Sequence, residues 1–132
     1  MIYLNDLIGV PFKIHGRDTD GLDCYGLLIE IAKRLGVKFP DAFYNSINID
    51  GKDSVYNFLQ EKLPIEKIDK LEQYAVLLMF RGGKFTHVGV YLGEGKLIHC
   101  TEDCGVCIQD IRHFEKKIKE IYRIKGIKNG NN

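Results

Sequence analysis

Cys24 stands at the start of the most helical stretch of the chain, and two histidines, His87 and His99, lie far downstream and one hairpin apart. A cysteine in the first turn of a helix has its sulfur near backbone N–H groups and the positive end of the helix dipole. Both favour the thiolate, the nucleophilic form. The competing reading of Cys24 by itself is a small core hydrophobe, because cysteine is among the most often buried residues. His87 shares a strand face with Gly89 and Tyr91, whereas Val88, Val90 and Leu92 point to the opposite, apolar face. The neighbouring glycine predicts open space beside the imidazole, the setting of a site more than of a packed structural histidine. His99, near the end of the following strand, can reach the other ring nitrogen of His87 and set its tautomer and orientation. Nucleophile, base and orienting residue are the set that acyl transfer through a covalent intermediate requires.

The elements that must position these residues can be read in order. Tyr3 to Ile8 predicts one or two helical turns, and Gly9 to Leu22 a loop punctuated by Pro11, Gly16 and Gly21. Asp23 to Leu35 predicts a helix with Glu30, Lys33 and Arg34 on one wet stripe and apolar residues around the rest, hence a central, buried one. Asp23 suits its N-cap and Gly36 the left-handed position beyond its end. Gly26 in its first turn costs about 0.5–1 kcal/mol relative to alanine, which predicts a close neighbour there, a backbone or a substrate. A second, amphipathic helix is expected over Asp53 to Leu63, ended by Pro64. Strands follow: Tyr74 to Arg81, a Gly82-Gly83 turn, Phe85 to Leu92, a Gly93-Glu94-Gly95 turn, Lys96 to Cys100, Val106 to Ile108, and Glu120 to Ile124. Helices first and an antiparallel meander afterwards predict an α+β domain. Its expected extent is residues 1–125, with a polar, disordered tail over 126–132.

With 132 residues, 45% hydrophobic and 28% charged, the chain is expected to form one domain with a continuous core. A formal net charge of +1 supplies no field for nucleic acid or an anionic membrane. The first six residues lack the basic and apolar regions of a signal peptide, and the longest apolar run, Ala75 to Phe80, is too short to cross a bilayer. Synthesis and retention in the cytosol is therefore expected, unless a carrier such as a virion takes the protein out. In that setting Cys24, Cys100, Cys104 and Cys107 are read as reduced thiols. His99, Cys100, Cys104 and Cys107 also admit a zinc reading. All four come from one short stretch, however, whereas structural zinc draws on two separated pairs, and zinc would take His99 from the triad. No metal and no cofactor are expected.

Gly21-Leu22-Asp23-Cys24-Tyr25-Gly26-Leu27, followed by Thr86-His87-Val88-Gly89-Val90-Tyr91-Leu92-Gly93 and by Lys96-Leu97-Ile98-His99, resembles the NlpC/P60 family of bacterial and phage cysteine peptidases. The likeness runs from about Gly9 to Tyr122, with three motifs in the family's order and hairpin spacing. It implies a papain-like α+β fold, with N-terminal helices packed on an antiparallel sheet. Cys24 would be the nucleophile, His87 the base and His99 the third residue. It further implies a peptidoglycan stem peptide as substrate, commonly cut after D-glutamate, and no cofactor. Gly16-Arg17-Asp18 and the aromatic Tyr25 after the cysteine look closest to the phage and prophage branch associated with tails, so phage tail proteins are implied as partners.

Two departures from the family pattern carry consequences. Tyr25 replaces the family's serine, and Phe12 in Gly9-Val10-Pro11-Phe12 replaces a tyrosine whose hydroxyl is thought to help bind the oxyanion. One preorganised oxyanion donor is worth about 10²–10³ in turnover, so a slow enzyme or a substitute donor follows. The backbone N–H of Cys24 would remain as one donor. Arg17 and Asp20, with Lys13, lie in the loop before the nucleophile and could recognise substrate carboxylates and a free amine, or form only a solvated charged loop. His15 and His113 carry no catalytic signal. Two other classes stay open: a tail assembly component that keeps the fold for docking with weak or no catalysis, and an acyl-transfer or lipid-handling enzyme with an apolar groove.

Overall fold

The computed structural model describes residues 2–41, 63–81 and 84–128. A 3-10 turn over Asn5–Leu7 leads into a loop that folds into a small hairpin of β1 (Arg17–Asp18) and β2 (Gly21–Leu22). The helix α1 (Cys24–Arg34) follows at once. Asp23 caps it, its carboxylate accepting the Gly26 N–H at 2.7 Å, and Gly36 at φ 85° lies just past its end. The second helix expected over 53–63 lies outside the described residues but for Leu63, which is not helical. α1 is the one α-helix among the described residues.

Six antiparallel strands form the sheet: β3 (Ile65–Ile68), β4 (Val76–Arg81), β5 (Lys84–Gly93), β6 (Lys96–Thr101), β7 (Gly105–Asp110) and β8 (Ile118–Ile124). Their order is β3-β8-β4-β5-β6-β7, so β4 to β7 are the expected meander and β8 returns to lie between β3 and β4. Arg81 pairs with Lys84 across the Gly82-Gly83 turn position, which itself lies outside the described residues. β3 had no signal in the sequence. Glu66 and Lys67 at its centre are exposed, as suits an edge strand held by β8 on one side.

Alternation along β4 shows why its sequence is apolar without a break. Val76 and Leu78 pack with α1, Val88, Val90, Ile98 and Tyr122 in one core. Leu77 and Met79 pack on the other face with Leu97, Ile111, Phe114 and Ile118. Both faces of the central strand are thus buried, and polar residues have no place on it. From α1, Leu27, Leu28 and Ile31 are at most 1% exposed. Burying each such side chain stabilises by about 1.5–3 kcal/mol, which fixes the helix against β5 and β6. The chain stays tied down slightly beyond the expected domain end: the Lys128 N–H donates to the Leu35 carbonyl at 2.9 Å. Residues 129–132, the rest of the expected tail, lie outside the described residues. No helix among the described residues is long and apolar enough to cross a membrane.

Candidate active site

Cys24 is the first residue of α1 and is partly exposed. Its corner is held by charge and by close backbone contact. Asp23 accepts the Gly26 N–H through Oδ1 and the His15 N–H through Oδ2, and its Oδ1 also receives the Arg17 guanidinium at 2.9 Å. Arg17 further donates to the Gly16 carbonyl at 2.8 Å and to Asp41 at 2.8 Å, and lies 5.6 Å over the Tyr25 ring. Tyr25 is buried, with its hydroxyl donating to the Pro40 carbonyl at 2.6 Å, and burial pushes its ionisation upward. The close neighbour expected at Gly26 is backbone: a Cβ there would stand 2.2 Å from the Gly16 carbonyl oxygen. The loop can therefore lie against the helix's first turn only because residue 26 has no side chain.

The two histidines are built differently. His87 in β5 and His99 in β6 are 6% and 1% exposed, the two polar residues buried among the described core. His87 Nε2 lies 2.9 Å from His99 Nδ1, and His99 Nε2 lies 2.5 Å from Gln109 Oε1 in β7. The Phe114 ring stands edge-on to His99 at 5.1 Å, so the pair is walled on the side of Leu77, Met79 and Leu97. The open space expected over Gly89, beside His87, is filled. A Cβ on Gly89 would meet the Met79 methyl at 3.0 Å, the Ile98 carbonyl at 3.1 Å and the His99 Cβ at 3.3 Å. Gly89 serves to let β6 and the His99 side chain come close, so the glycine marks clearance for the pair.

The remaining cysteines occupy three settings. Cys100 is buried beside α1, its thiol donating to the Leu22 carbonyl at 3.1 Å. Burial first, then the neighbouring Cys24, Asp23 and Cys107, push that thiol up to about 12. Cys107 is partly buried, 3.6 Å from Gln109 Oε1, and burial with the adjacent Cys104 pushes it upward as well. Cys104 is exposed in the turn. Among the described residues no three His, Cys, Asp or Glu side chains are grouped to hold a metal ion.

The residues expected to bind substrate are scattered in role. Arg17 is committed to Asp23, Gly16 and Asp41, which makes it a fastening of the corner that carries Cys24. Asp20 is exposed at the tip of the β1–β2 hairpin, its N–H held by Asp18. Phe12 is partly buried against the helix-side core, and its backbone bridges Leu22, two residues before Cys24. Gln109 was missed by the sequence reading. The signal for it was register: β6 and β7 pair His99 with Cys107 and Leu97 with Gln109, which puts Gln109 diagonal to His99 on one face.

Comparison with known proteins agrees with this architecture. The model of the NlpC/P60 family matches residues 9–123. A curated relative, the murein DD-endopeptidase MepS/murein LD-carboxypeptidase of Escherichia coli K12, is 24% identical over 123 residues. That match covers 90% of this chain, which spans 58% of the relative's length. Among solved structures, the NlpC/p60 domain of the peptidoglycan hydrolase SagA superimposes with a TM-score of 0.61 at 18% identity, covering 91% of this chain and 92% of that one. An NlpC/P60 family protein from Bacillus cereus ATCC 10987 gives 0.65 at 20% identity, over 91% of this chain and 37% of that one.

Proposed function

This chain belongs to the NlpC/P60 family, and from that premise we propose that it is a cysteine peptidase hydrolysing an amide bond in peptidoglycan stem peptides. His87 takes the Cys24 thiol proton and the thiolate attacks the scissile carbonyl. The oxyanion forms beside the first turn of α1, with the Cys24 N–H as one donor. His87 then gives its proton to the leaving amine as the C–N bond breaks, leaving a thioester on Cys24. Water attacks the thioester, its proton passes through His87 back to the sulfur, and the carboxylic acid departs. Because Nε2 of His87 is turned to His99, the proton exchange with the thiol is assigned to Nδ1. The observation that supports the reading most is the 2.9 Å contact between two buried histidines on strands against which the Cys24 helix packs.

We assign the bond to the D-glutamyl–diamino acid position on the family resemblance alone, and the protein to the tail-associated branch on Gly16-Arg17-Asp18 and Tyr25. The E. coli relative's name concerns DD and LD bonds, so muropeptides offering all three bond types are the substrates to test. Incubation followed by mass spectrometry should reveal a new D-glutamyl carboxyl and a free diamino-acid amine, lost in Cys24→Ala. Cleavage that survives Cys24→Ala refutes the mechanism. A second reading, a tail component that docks and hardly catalyses, draws on Phe12, which has no hydroxyl to offer an oxyanion. It would be favoured by a Cys24 that remains reactive in a protein that cuts no wall fragment.

A further inference from the structure

We infer that Gln109 is a positioning residue of this site: its side-chain oxygen selects the tautomer of His99 and, through it, the proton arrangement on His87. The inference rests on the reading of His87 as the base. Gln109 Oε1 lies 2.5 Å from His99 Nε2 and can only accept, so Nε2 carries the hydrogen. A neutral imidazole protonated at Nε2 offers Nδ1 as an acceptor, and that atom is 2.9 Å from His87 Nε2. His87 therefore donates through Nε2, and its Nδ1 carries the lone pair that a base needs. When His87 becomes an imidazolium, its Nε2–H still points at an acceptor, so the relay needs no rearrangement during the reaction.

The reverse amide orientation fails on the same accounting. With the Gln109 NH₂ toward His99, Nε2 would have to accept and Nδ1 would carry the hydrogen. The His87 imidazolium would then set N–H against N–H. The Cys107 thiol, 3.6 Å from Oε1, is a weak donor to the same atom and agrees with oxygen standing there. His99 is 1% exposed and edge-on to Phe114, so solvent does not average its two tautomers. An imidazole nitrogen facing the wrong partner in such a place stays unsatisfied. Gln109 itself is only partly buried, so the position accepts other side chains, charged ones included.

The test uses the full chain, with ¹⁵N-labelled histidine and long-range proton–nitrogen correlation to read the tautomer of His99. The wild type should show the Nε2–H form. Gln109→Leu, checked for fold by circular dichroism, should lose that preference and lower kcat by about 10–100-fold with little change in KM, the scale of lost outer-shell partners elsewhere. Gln109→Glu keeps an acceptor and should recover most of the lost turnover, while Gln109→Lys presents only donors and should drive His99 to the Nδ1–H form. A wild-type His99 protonated at Nδ1 overturns the inference, as does a Gln109→Leu variant with unchanged tautomer and turnover. If the wild type cuts no wall fragment, the peptidase reading fails, and the nitrogen spectra still decide the role of Gln109.

Discussion

The corner that carries Cys24 is partly open and tied down by charge, whereas the strands that carry His87 and His99 are closed and tied down by packing. In the corner, one guanidinium serves Asp23, Asp41 and the Gly16 carbonyl, and the Arg17 and Asp23 side chains are each close to one-fifth exposed. In the strands, a hydrogen-bonded relay from His87 through His99 to the partly buried Gln109 runs beside Met79, Leu97 and Phe114, and both imidazoles are nearly out of solvent. A nucleophile, the role proposed for Cys24, must meet substrate and so cannot be sealed; a base, the role proposed for His87, must keep one ring orientation and one tautomer, and sealing supplies both. The difference also separates how each half should fail: charge contacts yield to salt and to loss of a partner, packed ones to changes of shape or of hydrogen-bond polarity.

The largest effect should come from removing the proposed base. His87→Ala is expected to lower turnover on muropeptides by about 10²–10⁴-fold, the usual contribution of a positioned acid–base group. It should also slow alkylation of Cys24 by iodoacetamide at acidic pH, because the imidazolium that stabilises the thiolate is gone. Unchanged labelling in His87→Ala would break the link between the two regions.

Next is the contrast between two sulfurs on the helix side, Cys24 and Cys100. With its thiol pushed up to about 12, Cys100 should label at pH 7 on the order of 10²-fold more slowly than an ordinary thiol, after allowing for its greater intrinsic nucleophilicity. Cys24 should label faster than an ordinary thiol, and peptide mapping of the alkylated protein reads both rates. The same shift has a sign for stability. Above pH 9 the unfolded chain sheds the Cys100 proton while the folded one keeps it, so stability falls from there toward pH 12. Equal labelling of Cys24 and Cys100 would remove the case for Cys24 as the nucleophile.

A smaller gain is expected from Phe12→Tyr, which offers a hydroxyl to the oxyanion. Turnover should rise about tenfold, part of the 10²–10³ that one preorganised donor is worth. The gain should lie in kcat more than in KM, the signature of an interaction made in the transition state. A rate unaffected by the substitution would show that another donor fills the role.

Much of this was legible in the sequence for local reasons. Asp23, Gly36 and the apolar circumference between them define α1, and the unbroken Ala75 to Phe80 run with its glycine turns defines the central strands. The histidine pairing followed from strand alternation and one hairpin, and Nε2 and Nδ1 meet as that spacing requires. What stayed hidden depends on contacts distant in the chain. β3 is an edge strand whose charged centre carries no alternation, and only β8, more than fifty residues on, makes it a strand. Gly89 was read as space when it is clearance, because the atoms that crowd it come from Met79, Ile98 and His99. Arg17 was read as a substrate contact or as part of a solvated charged loop, since nothing local shows that Asp41 and Asp23 converge on it.

The smallest effect, and the one that most sharpens the comparison, concerns Arg17. Its ion pair with Asp23 joins partly buried side chains, while its contact with Asp41 reaches a side chain that is 59% exposed and counts for little. Arg17→Ala leaves Asp23 at the helix N-terminus without its cation and the Gly16 carbonyl without that donor. The cost should be about 1–2 kcal/mol of stability, the range for hydrogen bonds to charged groups after discount for solvent, read as a lowered urea midpoint at unchanged slope. The uncompensated Asp23 carboxylate also stands beside Cys24, where a negative charge disfavours the thiolate, so alkylation of Cys24 at acidic pH should slow too. Arg17→Lys should recover the charge and little of the geometry, because an ammonium does not reproduce a planar fork that spans Asp23, Gly16 and Asp41. Salt separates the halves of the site. Raising ionic strength from about 0.1 M to 1 M shortens the screening length from about 10 Å to 3 Å and should narrow the difference between wild type and Arg17→Ala. The tautomer of His99, held by neutral partners out of water, should not move. A salt-insensitive Arg17 effect, or a His99 tautomer that changes with salt, would mean that the two regions are held by the same forces after all.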